Sequence, residues 1–237
     1  MQMRASILLL SLMFLLSGGF AFAEEQISVE AGYQGFFRPG EWTPVTLLVQ
    51  RKAESAEDTQ GTFSVYSQPL EGDSRIYSRE VNLGVQQRIR TTLNVQISQD
   101  AQCRIQYKTR NSEFVQELAG NYLNPLMPYE RLILMVNRGG YTMPKPSINI
   151  ASTRIAHVQP EQLPEMWQAL ESVDLIIFAQ DPSPDLAAEK RSALLDWLRL
   201  GGRILCIGGA STSSYKDSFL APVLPVTCDG TRELTFQ

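Results

Sequence analysis

From Gln26 to about Tyr122, apolar and polar side chains alternate with a period of two. Ile27, Val29 and Ala31 alternate with polar neighbours, as do Val45, Leu47 and Val49. The run Arg88 to Ile97 is the clearest case. Ile89, Thr91, Leu93, Val95 and Ile97 fall on one side, and Arg88, Arg90, Thr92, Asn94 and Gln96 on the other. Cys103, Ile105 and Tyr107 repeat the pattern. A period of two with one wet face marks an antiparallel sheet, and several such runs divided by Gly, Pro, Asp and Ser turns predict a β-sandwich over residues 24–122.

The rhythm changes beyond a proline-bearing linker at residues 123–129, which contains Pro125 and Pro128. Arg131 to Val136 is an apolar strand running into a polar loop at Asn137 to Gly140, and Thr153 to Val158 is the next strand. Leu163, Met166, Trp167 and Leu170 form an apolar stripe at helical spacing. Asp174 to Ala179 reads as a strand buried on both faces. Ser183, Pro184 and Asp185 then predict a helix start, with Leu186, Ala193, Leu194, Trp197 and Leu198 on its packed face. Gly201 and Gly202 end that helix, and Arg203 to Ile207 is a second buried strand. Strand, crossover helix and strand make a βαβ unit with parallel strands, whose ligands belong at the carboxyl ends. Three loops converge there: Asn137 to Gly140, Gln180 to Pro182, and Gly208 to Ser214.

Three runs of this half, Trp167 to Phe178, Leu194 to Leu205 and Leu220 to Val226, resemble the glutamine-amidotransferase-like domain of bacterial envelope proteins. The likeness covers about Glu130 to the end and implies a flavodoxin-like α/β domain over residues 130–237, related in fold to class I amidotransferases. Arg38-Pro-Gly-Glu-Trp-Thr-Pro44 is similar to a run that follows the first strand in the same family. In the active enzymes a cysteine occupies the turn of a G-x-C-x-G pattern, where helix-end amides favour its thiolate. Here the resemblance places Gly208 at that turn, and Cys206 falls two residues earlier, inside the strand, as a small apolar group. His157, the single histidine, precedes the turn, whereas the family's base follows its cysteine. The family's sheet has more strands than the four read here, and Leu234 to Phe236 looks like a strand beginning, so the resemblance implies a domain that is incomplete or reduced at its C-terminal end.

Residues 1–23 carry a positive start at Arg4, an apolar core from Ile7 to Leu16 and a small-x-small end at Ala21 to Ala23, the pattern of a cleaved secretory signal. Its loss leaves 20 Lys plus Arg against 25 acids. That balance argues against nucleic acid as a partner, and no basic cluster reverses it. Three cysteines, Cys103, Cys206 and Cys228, allow at most one internal bridge and exclude a disulfide-built scaffold. The acids Glu54, Glu57 and Asp58 show no calcium-loop pattern, and no metal or cofactor is implied elsewhere.

The strand-end loops offer Asn137, Asp181, Gly208, Gly209 and Ser211 as a candidate ligand crevice, with the paired glycines able to admit an anion to backbone amides. An aspartate before a proline also makes an Asx turn, the plainer role for Asp181. Trp42, between rigid turn residues, is a candidate partner surface or the lid of a sandwich core. No catalytic set emerges, since a serine hydrolase needs G-x-S-x-G and a nearby histidine. The expectation is therefore an exported, periplasmic, non-catalytic binding or scaffold protein of the cell envelope. Its partner would be another envelope protein or a small ligand, and any membrane association would come through a segment not present in this sequence. The competing expectation is an exported hydrolase or amidase with an unusual site around Asp181 and Gly208 to Ser211.

Overall fold

A computed structural model of the chain describes residues 25–51, 60–82, 88–137, 152–208 and 212–227. The leader at 1–23, the acids Glu54, Glu57 and Asp58, the crevice residues Gly209 and Ser211, Cys228, and the strand expected at Leu234 to Phe236 lie outside these residues. The described part is mostly β, with antiparallel sheets, a separate parallel sheet and one α-helix. No helix among the described residues is long and apolar enough to cross a membrane.

The alternating first half forms β1 (Glu25–Ala31), β2 (Phe36–Phe37), β3 (Trp42–Arg51), β4 (Gln60–Gln68), β5 (Arg75–Asn82), β6 (Arg88–Gln96), β7 (Gln102–Thr109) and β8 (Glu113–Leu118). Two antiparallel sheets result, in the orders β1-β3-β6 and β5-β4-β7-β8. Val45, Leu47, Val49 and Val95 of one sheet and Phe63, Val65, Ile105 and Tyr107 of the other share a single buried core. Cys103 is buried in that core, and its burial raises the thiol pKa.

In the second half β9 (Asn124–Pro125) precedes β10 (Arg131–Val136), β11 (Thr153–Val158), β12 (Leu175–Phe178) and β13 (Ile204–Cys206). The last four form a parallel sheet in the order β11-β10-β12-β13. Leu132, Leu134, Val136, Ala156, Val158, Ile176 and Phe178 face a second core, which the helix α1 (Ala188–Arg199) completes with Leu194 and Trp197. The expected glycine stop is present. Gly201 has φ +99°, its N–H donates to Leu198 O at 3.0 Å, and the Gly202 N–H donates to Trp197 O at 2.9 Å, the paired bonds of a Schellman end. Gly202 is also required by packing, because a Cβ there would lie 2.3 Å from the Trp197 ring.

Three local expectations are corrected. Ser183–Asp185 is an isolated 3-10 turn, and α1 begins only at Ala188 with Ala187 at its N-cap. The Ser183 hydroxyl is engaged by Asp181 and Ser218, so it does not cap a helix, and Leu186 and Ala187 are extended between the two elements. The stripe at Leu163, Met166, Trp167 and Leu170 is not an α-helix: Leu163 is extended after a 3-10 turn at Pro160–Gln162, Met166 is extended, and only Trp167–Leu170 forms a 3-10 turn. Pro164 accounts for this: it has no N–H to give a helix and holds Leu163 extended at ψ 142°. Met166 consequently points outward. Lastly, among the described residues β13 is the outer strand of its sheet, with Leu205 49% exposed and Cys206 half-buried.

The segment from Tyr33 to Trp42 fastens the first half to the second. Neighbouring side chains of β2 divide between the cores: Phe37 is buried in the first, and Phe36 packs against the second. The residues read as a linker pair with this strand, since β9 lies parallel to β2 and Leu126 is buried in the second core. Tyr33, 4% exposed, also enters the second core and donates its hydroxyl to Ala169 O at 3.0 Å. Arg38 donates to Asp174 Oδ2 at 3.1 Å and to the Glu130 carbonyl, while its own N–H reaches Ser172 Oγ at 3.2 Å. Asp174 further accepts from Arg131 Nη1 at 2.7 Å and from the Leu132 N–H at 2.9 Å. Gln34 carries φ 55°, an uncommon conformation for a side-chain-bearing residue. In it the side-chain amide mimics a peptide unit, accepting from His157 N at 3.2 Å and donating to His157 O at 3.1 Å along the edge of β11.

Candidate functional site

The strand ends can be built residue by residue. Asn137 follows β10 and is tied back by its N–H to Val158 O at 3.2 Å. Asp181 follows β12 and makes the expected Asx turn: its Oδ1 accepts from Ser183 N at 3.1 Å, Ser183 Oγ at 2.6 Å and Ser218 Oγ at 2.8 Å. The two serine oxygens are themselves 2.9 Å apart. Arg191 of α1 holds the same loop, donating to Ser183 O at 2.7 Å and Leu186 O at 2.9 Å. Tyr215 fills the remaining space; it is buried and donates to Phe178 O at 3.2 Å, at the end of β12. Gly208 is exposed, and a Cβ on it would lie 3.1 Å from Thr212 Oγ1, so the chain passes close there. One oxygen, Oδ1, of the carboxylate that the sequence offered as a reactive group thus accepts from two hydroxyls and an amide.

The thiol and the imidazole are kept apart by the sheet. Register places Cys206 in one row with Phe178, Val136 and Val158, while His157 is in the adjacent row with Met135, Ile177 and Leu205. Successive positions of a strand point to opposite faces, so Cys206 lies on the core face and His157 on the other. Their strands are the two outer members of the sheet among the described residues, three inter-strand steps or roughly 14 Å apart. General acid–base work needs groups within hydrogen-bond reach, and these two are not. Among the described residues, no group of three or more His, Cys, Asp or Glu side chains is placed to hold a metal ion.

Trp42 is half-buried and set edge-on to Tyr77, ring centres 6.1 Å apart and planes at 77°. Its backbone N–H donates to Glu171 Oε2 at 3.3 Å. Glu41 beside it has its pKa raised by burial, with Glu171 and Asp174 adding repulsion and Arg38 and Ser172 opposing. The R-P-G-x-W run therefore works at the junction of the halves, and its arginine, rather than its tryptophan, makes the connecting ion pair.

A concavity lies elsewhere, between the outer face of the β1-β3-β6 sheet and the turns that follow β11, with Lys190 of α1 beside them. It has a volume of about 430 Å³, within the range of small-ligand sites, and sits where such sites are common, between packed units. Its floor is the polar side of β6 and its neighbours. Thr46 and Thr92 share a hydrogen bond of 2.9 Å, Arg90 pairs with Glu30 at 2.9 Å, and Asn94 Oδ1 is buried with no hydrogen-bond partner. The opposite wall carries Glu161, Gln162, Glu165 and Lys190. Lys190 donates to the Glu161 carbonyl; desolvation lowers its pKa, Arg90 lowers it further, and the carboxylates of Glu165 and Glu161 oppose. The floor was visible in the sequence as the wet side of the alternation at Arg90, Thr92 and Asn94. The wall was not, because it depends on where the turns after β11 fold back.

Residues 25–119 match a family model described as a domain of unknown function (DUF8726), a span that runs from β1 to just past β8. No curated protein matches the chain. Solved structures with a partial likeness include a β-glucosidase from Listeria innocua, at 13% identity and TM-score 0.28 over 44% of this chain and 17% of that one. Another is the Escherichia coli curli protein CsgC, at 15% identity and TM-score 0.27 over 40% of this chain and 97% of that one. A third is a Paenibacillus cycloisomaltooligosaccharide glucanotransferase, at 9% identity and TM-score 0.31 over 78% of this chain and 27% of that one. This chain therefore spans well under a quarter of the length of the glucosidase it partly resembles.

Proposed function

We propose that this is an exported, periplasmic, non-catalytic binding or scaffold protein of the bacterial cell envelope. In this reading a β-sandwich at residues 24–122 is joined through 123–129 to a flavodoxin-like, amidotransferase-like α/β domain at 130–237, and another envelope protein or a small ligand is held. The leader-like pattern at 1–23 supports export, and the runs from Trp167 onward support the amidotransferase-like ancestry.

One observation carries the non-catalytic part: among the described residues, the candidate groups at the strand ends are not assembled for acid–base or nucleophilic chemistry. Asp181 is enclosed by Ser183 and Ser218, the turn position holds Gly208, and Cys206 faces away from His157 across the sheet. What remains is shape, fixed by the Tyr33 to Trp42 insertion. Purified protein incubated with glutamine and with a panel of amides and esters should release no product above a blank. Turnover that is lost in Cys206→Ala or Asp181→Asn would reject the proposal in favour of a hydrolase.

A further inference from the structure

We propose that the junction between the two halves is a pH-sensitive latch, which tightens when the Glu41 carboxyl takes up a proton. It concerns how firmly one half holds the other and is independent of whether the protein binds or catalyses.

Three carboxylates meet where the turn from Arg38 to Trp42 lies against residues 171–174 of the second half, and two of them are compensated. Asp174 accepts from Arg38 Nη2 at 3.1 Å, from Arg131 Nη1 at 2.7 Å and from the Leu132 N–H at 2.9 Å. Glu171 is exposed to water, and its Oε2 accepts the Trp42 backbone N–H at 3.3 Å. Glu41 is treated differently. Its Oε2 is buried and receives no hydrogen bond, and Arg38 Nε stands 3.6 Å away, beyond hydrogen-bond reach. The rest of Arg38 is spent elsewhere, since Nη2 is shared between Asp174 and the Glu130 carbonyl and its backbone N–H goes to Ser172 Oγ.

The groups facing Glu41 fix the sign of the response. Burial disfavours its charged form most; Arg38 of its own turn and the Ser172 hydroxyl across the junction favour that form, and Glu171 and Asp174 repel it. Arg131 and Arg203 line the same hollow, and Arg131 is paired with Asp174. The net effect raises the Glu41 pKa, so the folded junction takes up a proton more readily than the unfolded chain. Stability therefore falls as pH rises from the ordinary carboxylate value through the raised folded value, and the loss is complete above it. A neutral Glu41 no longer repels its neighbours and gains an O–H donor among acceptors. Glu41 belongs to the first half and both repelling carboxylates to the second, so the gain acts on the docking between them.

The test is urea unfolding of the parent protein and Glu41→Gln at about pH 7 and about pH 5, on either side of mild acidification. The Glu41→Gln midpoint should lie above the parent's at the higher pH, and the gap should close at the lower, where the parent carries its own proton. Taking the difference between the two proteins removes the titration they share, that of His157 included. Hydrogen exchange locates the effect. The Arg38 and Trp42 amides cross the junction to Ser172 and Glu171, so their protection relative to the Leu47 amide of the central strand β3 should rise on acidification in the parent and stay level in Glu41→Gln. The proposal is overturned if Glu41→Gln is no more stable than the parent at the higher pH, if the gap is the same at both, or if the protection of Arg38 and Trp42 relative to Leu47 does not respond to pH in the parent.

Discussion

The strand ends of the parallel sheet and the cleft beside the antiparallel sheet are both lined by polar side chains, and each spends them within the fold in its own way. At the strand ends, Asp181, Ser183 and Ser218 form one compact hydrogen-bonded cluster, and Tyr215 bonds to Phe178 O beside it. In the cleft, charges of both signs are tied across a wider surface: Arg90 pairs with Glu30, Arg79 donates to Thr92 O and Lys190 donates to the Glu161 carbonyl. The difference teaches that polar residues at a topologically favoured position are not by themselves a site; what matters is whether their hydrogen-bonding capacity is spent within the fold.

The comparison breaks most severely if the frame common to both regions is removed. Tyr33→Ala empties a buried position in the second core and should cost about 3–5 kcal/mol in urea unfolding. Tyr33→Phe, which deletes only the bond to Ala169 O, should cost about 1 kcal/mol. A smaller Tyr33→Ala effect would mean that the insertion does not hold the halves together. Next in size is Asp181→Ala, which strands the two serine hydroxyls and should cost about 1–3 kcal/mol with no change in any hydrolytic assay. A stability-neutral Asp181→Ala would place that carboxylate back among reactive candidates.

Arg38→Met should cost about 1 kcal/mol, because Asp174 retains Arg131 and the Leu132 N–H and because the pair is partly open to solvent. Acid titration sharpens the same junction. The Glu130 carboxyl is held below its usual range, first by the Met127 N–H and then by Arg154, while burial opposes. Its contribution is therefore complete above the ordinary carboxylate value and is lost as pH falls through the lower folded value. Glu130→Gln should lower stability at neutral pH and flatten the acid limb; parallel acid limbs for the two proteins would contradict this. The smallest effect is expected at the cleft wall, where Lys190→Gln should leave unfolding free energy within about 0.5 kcal/mol.

Periodicity made the antiparallel sheets and the parallel βαβ unit legible, down to the glycine stop after α1 and the wet side of β6. It failed where single residues overrode it. Pro164 broke a helical stripe into an extended stretch and one 3-10 turn, and Ser183, placed as a cap by its neighbours, was drawn instead to Asp181. The strand ends were found by topology, yet their closure by Ser218 and Tyr215 depends on a segment 35 or more positions away in sequence. Arg38 and Gln34 were invisible as connectors for the same reason, since the partners Asp174 and His157 lie more than 120 residues on.

Urea unfolding of Asp181→Ala beside the parent protein, with the same samples assayed on glutamine, amides and esters, tests the account most directly. The account expects a loss of about 1–3 kcal/mol in the variant and no product from either protein. Unchanged stability, or turnover in the parent that the substitution abolishes, would contradict it.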